Sequence, residues 1–397
     1  MAMSSSWVVE IEKYISGDTG GSTFGVMARG LSKAGHSIYR VPEYMKNMTN
    51  PNAYRPQVVS LGPFHHGDPA LKPMEKHKGR AVANLVKRSG KPLQEFIAAV
   101  EEIKVQLQDA YESLEDRWYQ GTCFLEMMLM DGCFLLEMAR VFELNGRVED
   151  YEPDDPVFSE HGCLYLFSCI KSDVVLMENQ LPLLLLQKLI SVAYNHDFLK
   201  SMTGIRQHRQ KPITFPFMPC AAELHEAGIH VKLSGASMGL GGGVTFEGGV
   251  LYIPNIFLYN DAERIFLNLM AFERLHPDTG NDVTALVFFL DLLIDTTKDV
   301  ALLRSQGIIK NGLGSDEAVV DLIKKTLTKS AVLNPESSLS SVIGEVNSHC
   351  QNRWNKWRVS LRRTYFSNPW LFSPALILFV ATIIQTIYTV VPFYNKS

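Results

Sequence analysis

The chain has 397 residues, with 38 Lys and Arg against 42 Asp and Glu, a formal net charge of −4 and a mean hydropathy of +0.00. That balance excludes a globally basic nucleic-acid binder and a strongly acidic disordered chain. Apolar residues make up 46% and charged ones 20%, which suits a large core and leaves room for a membrane segment.

Residues 7–15 form a short amphipathic stretch, followed by the flexible linker SGDTGGSTFG. Residues 38–68 are rich in Pro, Asn, Gly and His with little helical period, the pattern of an ordered loop packed on a body. The pattern turns helical at Lys72. Leu93, Phe96, Ile97, Val100, Ile103, Leu107, Tyr111, Leu114 and Trp118 recur at steps of three and four, an amphipathic stripe. Residues 123–144 read as a helix apolar on most faces, stopped by Asn145-Gly146. After an acidic loop at 147–156, helices are expected over 157–178 and 181–194, with Pro182 in the first turn of the second. A polar connector at 200–219 leads to VKLSG, VTF and GVLYIPNIFL, where β-branched and aromatic residues between glycines predict two or three short strands. Helices resume over 262–275, 283–305, 316–330 and 339–365. The expected fold is mainly α, a large helical body with a small β insert at about 229–257 and one C-terminal transmembrane helix.

Charge is divided unevenly along this order. The last acid is Glu345, and beyond it stand only Arg353, Lys356, Arg358, Arg362, Arg363 and Lys396, so a +6 tail follows a body of −10. From Leu371 to Val391 the chain has no charge. A helix of that length spans about 31 Å, matching a hydrocarbon core of about 30 Å. Trp370 before it and Tyr388 and Tyr394 toward its far end are placed as interfacial aromatics. The five cations from Arg353 to Arg363, interleaved with Trp354 and Trp357, put the body in the cytosol by the positive-inside rule and suit anionic headgroups. Insertion would follow translation, as for a tail-anchored protein of the plasma membrane or an endomembrane. The expected organisation is 1–37 amphipathic segment and linker, 38–345 helical domain, 346–370 basic juxtamembrane helix, 371–391 span and 392–397 tail.

Candidate chemistry is sparse. The GLGGG run at 239–243 precedes a strand rather than a helix and no GK[ST] follows, so it is not a phosphate loop. His65 and His66, with Glu75 and His77, make the best metal-like cluster, yet adjacent loop histidines point apart and no HExxH exists. Six cysteines lack CxxC spacing and read as reduced core thiols. The sequons at Asn47 and Asn395 would matter only on a lumenal face. Asp131, Glu137, Asp173, Glu178, Asn179 and Gln180 sit in strongly apolar stretches. Such groups must be paired, and they read as a structural polar network, bonding helix ends or Arg40 and Arg55, rather than as an acid–base pair.

The segments IYRVPEYM, NAYRPQVVSLGPFHHGD, MEKHKGR, MMLMDGCFLLEM, LMENQLPLLLLQKL, GGVLYIPNI and NRWNKWRVSLRRTYFSNPW together closely resemble the plant family called "domain of unknown function 247", over roughly residues 38–391. The resemblance implies a plant protein, single-pass at its C-terminus, without established enzymatic activity. Some grass members of that family are implicated in self-incompatibility. Gly79 and Ala81 around Arg80, and the loose GLGGG run, depart from its pattern. The expected function is therefore a membrane-anchored interaction or signalling protein with lipid and protein partners, no nucleic acid and no cofactor. The rival readings are a metal-assisted hydrolase built on His65, His66 and Asp131, and an extracellular-facing recognition protein.

Overall fold

The computed structural model describes residues 36–194, 218–234, 243–276, 279–331 and 339–351, with Ala381, Thr382 and Ile384. In chain order its helices and strands are α1 Glu43–Met48, α2 Lys72–Ser89, α3 Leu93–Glu102, α4 Lys104–Asp109, α5 Cys123–Glu143, α6 Glu160–Val174, α7 Leu183–Ala193 and α8 Ala221–Glu226, then β1 His230–Leu233, β2 Thr245–Glu247, β3 Val250–Ile253 and β4 Ile256–Leu258. There follow α9 Ala262–Leu275, α10 Asp282–Leu293, α11 Thr297–Ser305, β5 Ile309–Asn311, α12 Asp316–Asp321 and α13 Leu339–Gln351. The fold is mainly helical with two small sheets, and the chain divides into two compact units.

The first unit comprises Met1–Arg209, Asp261–Thr284 and Lys329–Val332. At its centre is α5, rich in Leu, Met and Phe, strong helix formers or good core fillers. It buries Phe124, Met128, Cys133, Phe134, Met138 and Val141 among α2, α3, α6 and α7. Asn145 (φ 52) and Gly146 (φ 74) end it in the left-handed region, and the Gly146 N–H returns to the Val141 carbonyl at 2.8 Å, a Schellman-type stop. The stripe over 93–118 is real but not one helix: it breaks at Ile103 into α3 and α4 and ends in a 3-10 turn, Asp116–Trp118. The stretch 38–68 is irregular except for α1 and the 3-10 turn Pro51–Tyr54, where the Asn52 N–H bonds the Asn50 side chain at 3.1 Å.

The second unit comprises Gln210–Asn260, Ala285–Thr328 and Leu333–Ser397. One sheet runs β1-β3-β2, with β1 parallel and β2 antiparallel to β3. The β2–β3 connection is Gly248-Gly249, both at positive φ, which is what a two-residue primed hairpin turn requires. In the other sheet β4 pairs in parallel with β5. The strand β5 was not foreseen, and the expected helix over 283–305 is two. Between them Thr296 caps α11, accepting at its side chain while Asp299 takes the Thr296 N–H at 2.8 Å. That capping box is a helix start, which overrides the apolar periodicity running through it. The helix expected over 316–330 contains a π segment, Leu322–Leu327.

Among the described residues no helix is long and apolar enough to cross a membrane. The span expected at 371–391 lies outside the described residues except for Ala381, Thr382 and Ile384, which are helical and exposed. Also outside them are residues 1–35, the GLGGG run before Gly243, Asn395, and Arg353, Trp354, Lys356, Trp357, Arg358, Arg362, Arg363 and Trp370.

Gly132 on α5 lets α7 approach closely: a Cβ there would stand 2.5 Å from Leu189 Cδ1 and 3.2 Å from Leu185 Cδ2. Both leucines are fully buried. Gly132→Ala is therefore expected to destabilise the fold by about 1–3 kcal/mol through overpacking, despite the better helix propensity of alanine. Denaturant unfolding measures it, and a stabilised variant would refute this packing.

Candidate functional site

Within the first unit, residues 55–62 (RPQVVSLG) run inward without a strand partner, from exposed Arg55 and Gln57 to Val59, Ser60 and Leu61, which are almost wholly buried. Buried backbone groups must find partners, and here side chains supply them. Asp173, at the end of α6, accepts from the Gln57 N–H at 2.9 Å and from those of Val58 and Val59 at 2.7 and 3.0 Å. Asn179 accepts from the Leu61 N–H at 2.7 Å and donates to the Val59 carbonyl at 3.0 Å. Lys78 donates to the Ser60 carbonyl at 2.7 Å, and Asp131 accepts from the Gly62 N–H at 2.8 Å. From α9, Arg264 donates to Asp173 and to the Arg55 carbonyl, each at 2.8 Å, while Asn268 donates to the Ala53 carbonyl at 2.9 Å. Gly62 (φ +75) closes the segment, because a Cβ would meet the Gln180 carbonyl at 2.7 Å and the Tyr111 hydroxyl at 2.9 Å. Tyr111 donates to that same carbonyl at 2.9 Å.

The charges in this cage are balanced locally. Lys78 stands 2.6 Å from Asp131 and 2.7 Å from Glu75, and both Lys78 and Asp131 are fully buried. Burial pushes the Asp131 carboxyl up to about 6, against the opposing pull of Lys78 and the Gly62 amide. Burial also drives the Tyr111 hydroxyl up, with Asp131 adding to it. Glu178 is the third anchor. It accepts from the Val41 N–H at 2.8 Å and pairs with Lys46 at 2.9 Å; these partners and His65 outweigh burial and hold its carboxyl below the ordinary value. A separate cluster surrounds Glu137, where Arg88 binds both oxygens at 2.6 and 3.3 Å and Arg140 adds a bond at 3.0 Å. Both arginines continue to Asp150.

The residues expected to form a polar network, Asp131, Glu137, Glu178, Asn179 and Gln180, are thus all engaged, Gln180 through the Val174 and Leu176 carbonyls. The two arginines expected to serve them do not. Arg40 lies over the Phe64 ring and pairs with Glu115. Arg55 enters only through its carbonyl, its residue being exposed. The cations that do serve are Lys46, Lys78, Arg88, Arg140 and Arg264. A signal for them existed: Lys78 falls among Met74, Ala81, Val82 and Leu85 on the buried face of α2, and Arg264 and Asn268 stand four apart on that of α9. A polar residue on an otherwise apolar face needs a buried partner.

The three candidate histidines are not a ligand set. His65 Nε2 stands 3.5 Å from Glu178, His66 meets Trp118 edge to face with ring centroids 5.3 Å apart, and His77 Nδ1 accepts from Arg80 at 2.8 Å. Burial lowers both His66 and His77, Arg80 adding to the effect at His77. Among the described residues no group of three His, Cys, Asp or Glu could hold a metal ion.

A family model described as "Plant protein of unknown function", DUF247, matches residues 38–208 and 200–384. The UPF0481 protein At3g47200 of Arabidopsis thaliana is 28% identical over 91% of this chain and 87% of its own length. A second UPF0481 protein of that plant, At3g02645, is 28% identical over 42% of this chain and 32% of its own length. No solved structure matches.

Two outcomes are expected of the cage. Asp173→Ala strands Arg264 and three backbone amides, and should destabilise the fold by about 3–5 kcal/mol; a loss under about 1 kcal/mol in equilibrium unfolding would show that water satisfies them. The raised Asp131 carboxyl means that the native state keeps a proton the unfolded chain has released. This group's support for the fold is complete below the ordinary carboxylate value and is lost as pH rises through about 6. Relative to Asp131→Asn, the wild type should lose on the order of 3 kcal/mol between pH 4 and pH 7, and parallel stability–pH curves would refute it.

Proposed function

This chain belongs to the DUF247 family of plant proteins, and on that premise we propose that it is a single-pass membrane protein of interaction or signalling type. Its body lies on the cytosolic side of the plasma membrane or an endomembrane, binds a protein partner and catalyses no reaction. The observation that carries this reading is the uncharged run from Leu371 to Val391 directly after five cations and two tryptophans, following a body of net −10. An anchor of that kind confines the body to a surface, where it needs only to recognise. The side chains best suited to acid–base work support a recognition role, because Asp131, Asp173 and Glu178 are engaged with backbone amides. Self-incompatibility, or another recognition pathway, is the setting we propose.

Alkaline carbonate extraction of membranes tests the anchor. The full chain is expected in the pellet, a variant lacking residues 371–391 in the supernatant, and extraction of the full chain would sink the reading. Orientation is tested separately. Asn47, exposed on α1, should remain without a glycan while an acceptor appended after Ser397 is modified. A glycan on Asn47 would reverse the sidedness and favour the outward-facing alternative.

A further inference from the structure

The exposed residues of α6 are Glu160, His161, Leu164, Tyr165, Ser168 and Lys171. At about 100° per residue they share one arc of about 140° on the helix, while Gly162, Ile170 and Asp173 are buried on the other side. Leu164 and Tyr165, 73% and 63% exposed, stand where a surface helix ordinarily carries charge. The Tyr165 ring lies against His161, with centroids 4.7 Å apart. Beside the arc, Phe167 stacks on Phe142 of α5 with centroids 3.7 Å apart, which widens the apolar surface.

The charges of this face stand at its two ends. Glu160 begins it and Lys171 closes it, about 16 Å apart at 1.5 Å per residue, too far to pair within one helix. Among the described residues neither has an ion-pair partner. Both lie on the same edge of the arc, within about 20° of each other, and Leu164 and Ser168 lie inside that edge. The order along the face is acid, large, small, base, so its complement is the same face laid antiparallel. A two-fold axis crossing the helix near Leu166 sets Glu160 of each copy against Lys171 of the other. It also sets Leu164 of each copy against the small Ser168 of the other. The first pair is centred between Tyr165 and Leu166 and the second on Leu166, so one register serves both to within about 1 Å. The two Tyr165 rings then come side by side on the opposite edge. A parallel pairing would instead bring like charges together.

We infer that the outer face of α6 is the interface of a two-fold symmetric dimer of this chain, formed by two copies of α6 packed antiparallel. Such a contact is isologous, each surface patch meeting its own copy. Burial of Leu164 and Tyr165 supplies the affinity. The two Glu160–Lys171 pairs lie at the rim, where they fix orientation more than they add strength. Two helices of fifteen residues make a small interface, so association is reversible and set by concentration. This assembly goes beyond the recognition role proposed above and does not require residues 371–391 to cross a membrane.

The test uses the full chain carrying a donor or an acceptor fluorescent protein at its N-terminus, mixed in detergent with micelles in excess. Energy transfer that unlabelled chain competes away is expected. Glu160→Lys and Lys171→Glu each place like charges opposite one another at both ends of the dimer, and each should weaken association at least about tenfold in Kd. The double variant carrying both reversals should return to within about threefold of the wild type. Both reversals oppose the helix dipole, so that recovery cannot come from a firmer helix. Leu164→Arg should abolish transfer. Glu317→Lys, the same charge change on exposed α12 in the other unit, should leave association within about twofold. Circular dichroism of each variant separates lost association from lost folding. A monomeric wild type would overturn the proposal and leave the face to a different protein or to another part of this chain. A dimer insensitive to Leu164→Arg but lost on removal of residues 371–391 would assign self-association to that segment. A double variant no tighter than the single ones would overturn the antiparallel pairing. Carbonate extraction is read on separate samples and does not depend on dimer formation, so the two readings fall separately.

Discussion

A single carboxylate, that of Asp173, receives three successive backbone N–H groups from Gln57, Val58 and Val59 and one guanidinium from Arg264. Each buried amide left without an acceptor would cost about 1–3 kcal/mol. Bonds to an ionised acceptor are the stronger kind, so one anion does what a neighbouring strand would otherwise have to do. The stretch from Ile38 to Gly62 can therefore be irregular and still be core. It brings Val59 and Leu61 into the apolar cluster that includes Phe134, Met138 and Val141 of α5, Ile170 of α6, and Phe158 just before α6. Without the carboxylate that burial would be opposed by its own backbone.

The remaining charges follow the same economy. Lys78 is matched by Asp131 and Glu75, Glu137 by Arg88 and Arg140, and Glu178 by Lys46. Buried pairs of this kind add little net stability against apolar replacements, but removing one partner leaves a charge with nothing to meet it. The polar residues that look most chemical in the sequence are thus the ones least free to act on a substrate.

How much of this could be read from the residues depends on how local the cause is. α5 followed from its apolar run and its Asn145-Gly146 stop, and the strands β2 and β3 from β-branched residues between glycines, because both are decided within a few positions. The break between α10 and α11 was missed although Thr296 and Asp299 form a local box; the apolar period through it was the stronger pattern. β5 was missed because three residues, Ile309–Asn311, carry almost no period and become a strand only by pairing with β4. In the cage, Asp131, Glu178 and Asn179 were recognisable as polar residues in apolar company. Their true partners were not, since Arg264 lies 91 positions from Asp173 and nothing local to either residue distinguishes it from Arg40 or Arg55.

The distance along the chain between those partners has a temporal meaning. Residues 55–62 leave the ribosome long before Asp173, and some two hundred positions before Arg264 and Asn268. Until Asp173 and Asn179 emerge, Val58, Val59 and Leu61 belong to a segment that can neither solvate its side chains well nor satisfy its backbone away from water. Contacts of such long sequence separation also form slowly. The first unit, which takes its last cage residues from beyond β4, thus cannot be completed by its N-terminal part alone. A nascent chain halted before residue 264 would leave the Asp173 carboxylate without its guanidinium and the Ala53 and Arg55 carbonyls without donors, a species suited to chaperone binding rather than to early domain-by-domain folding.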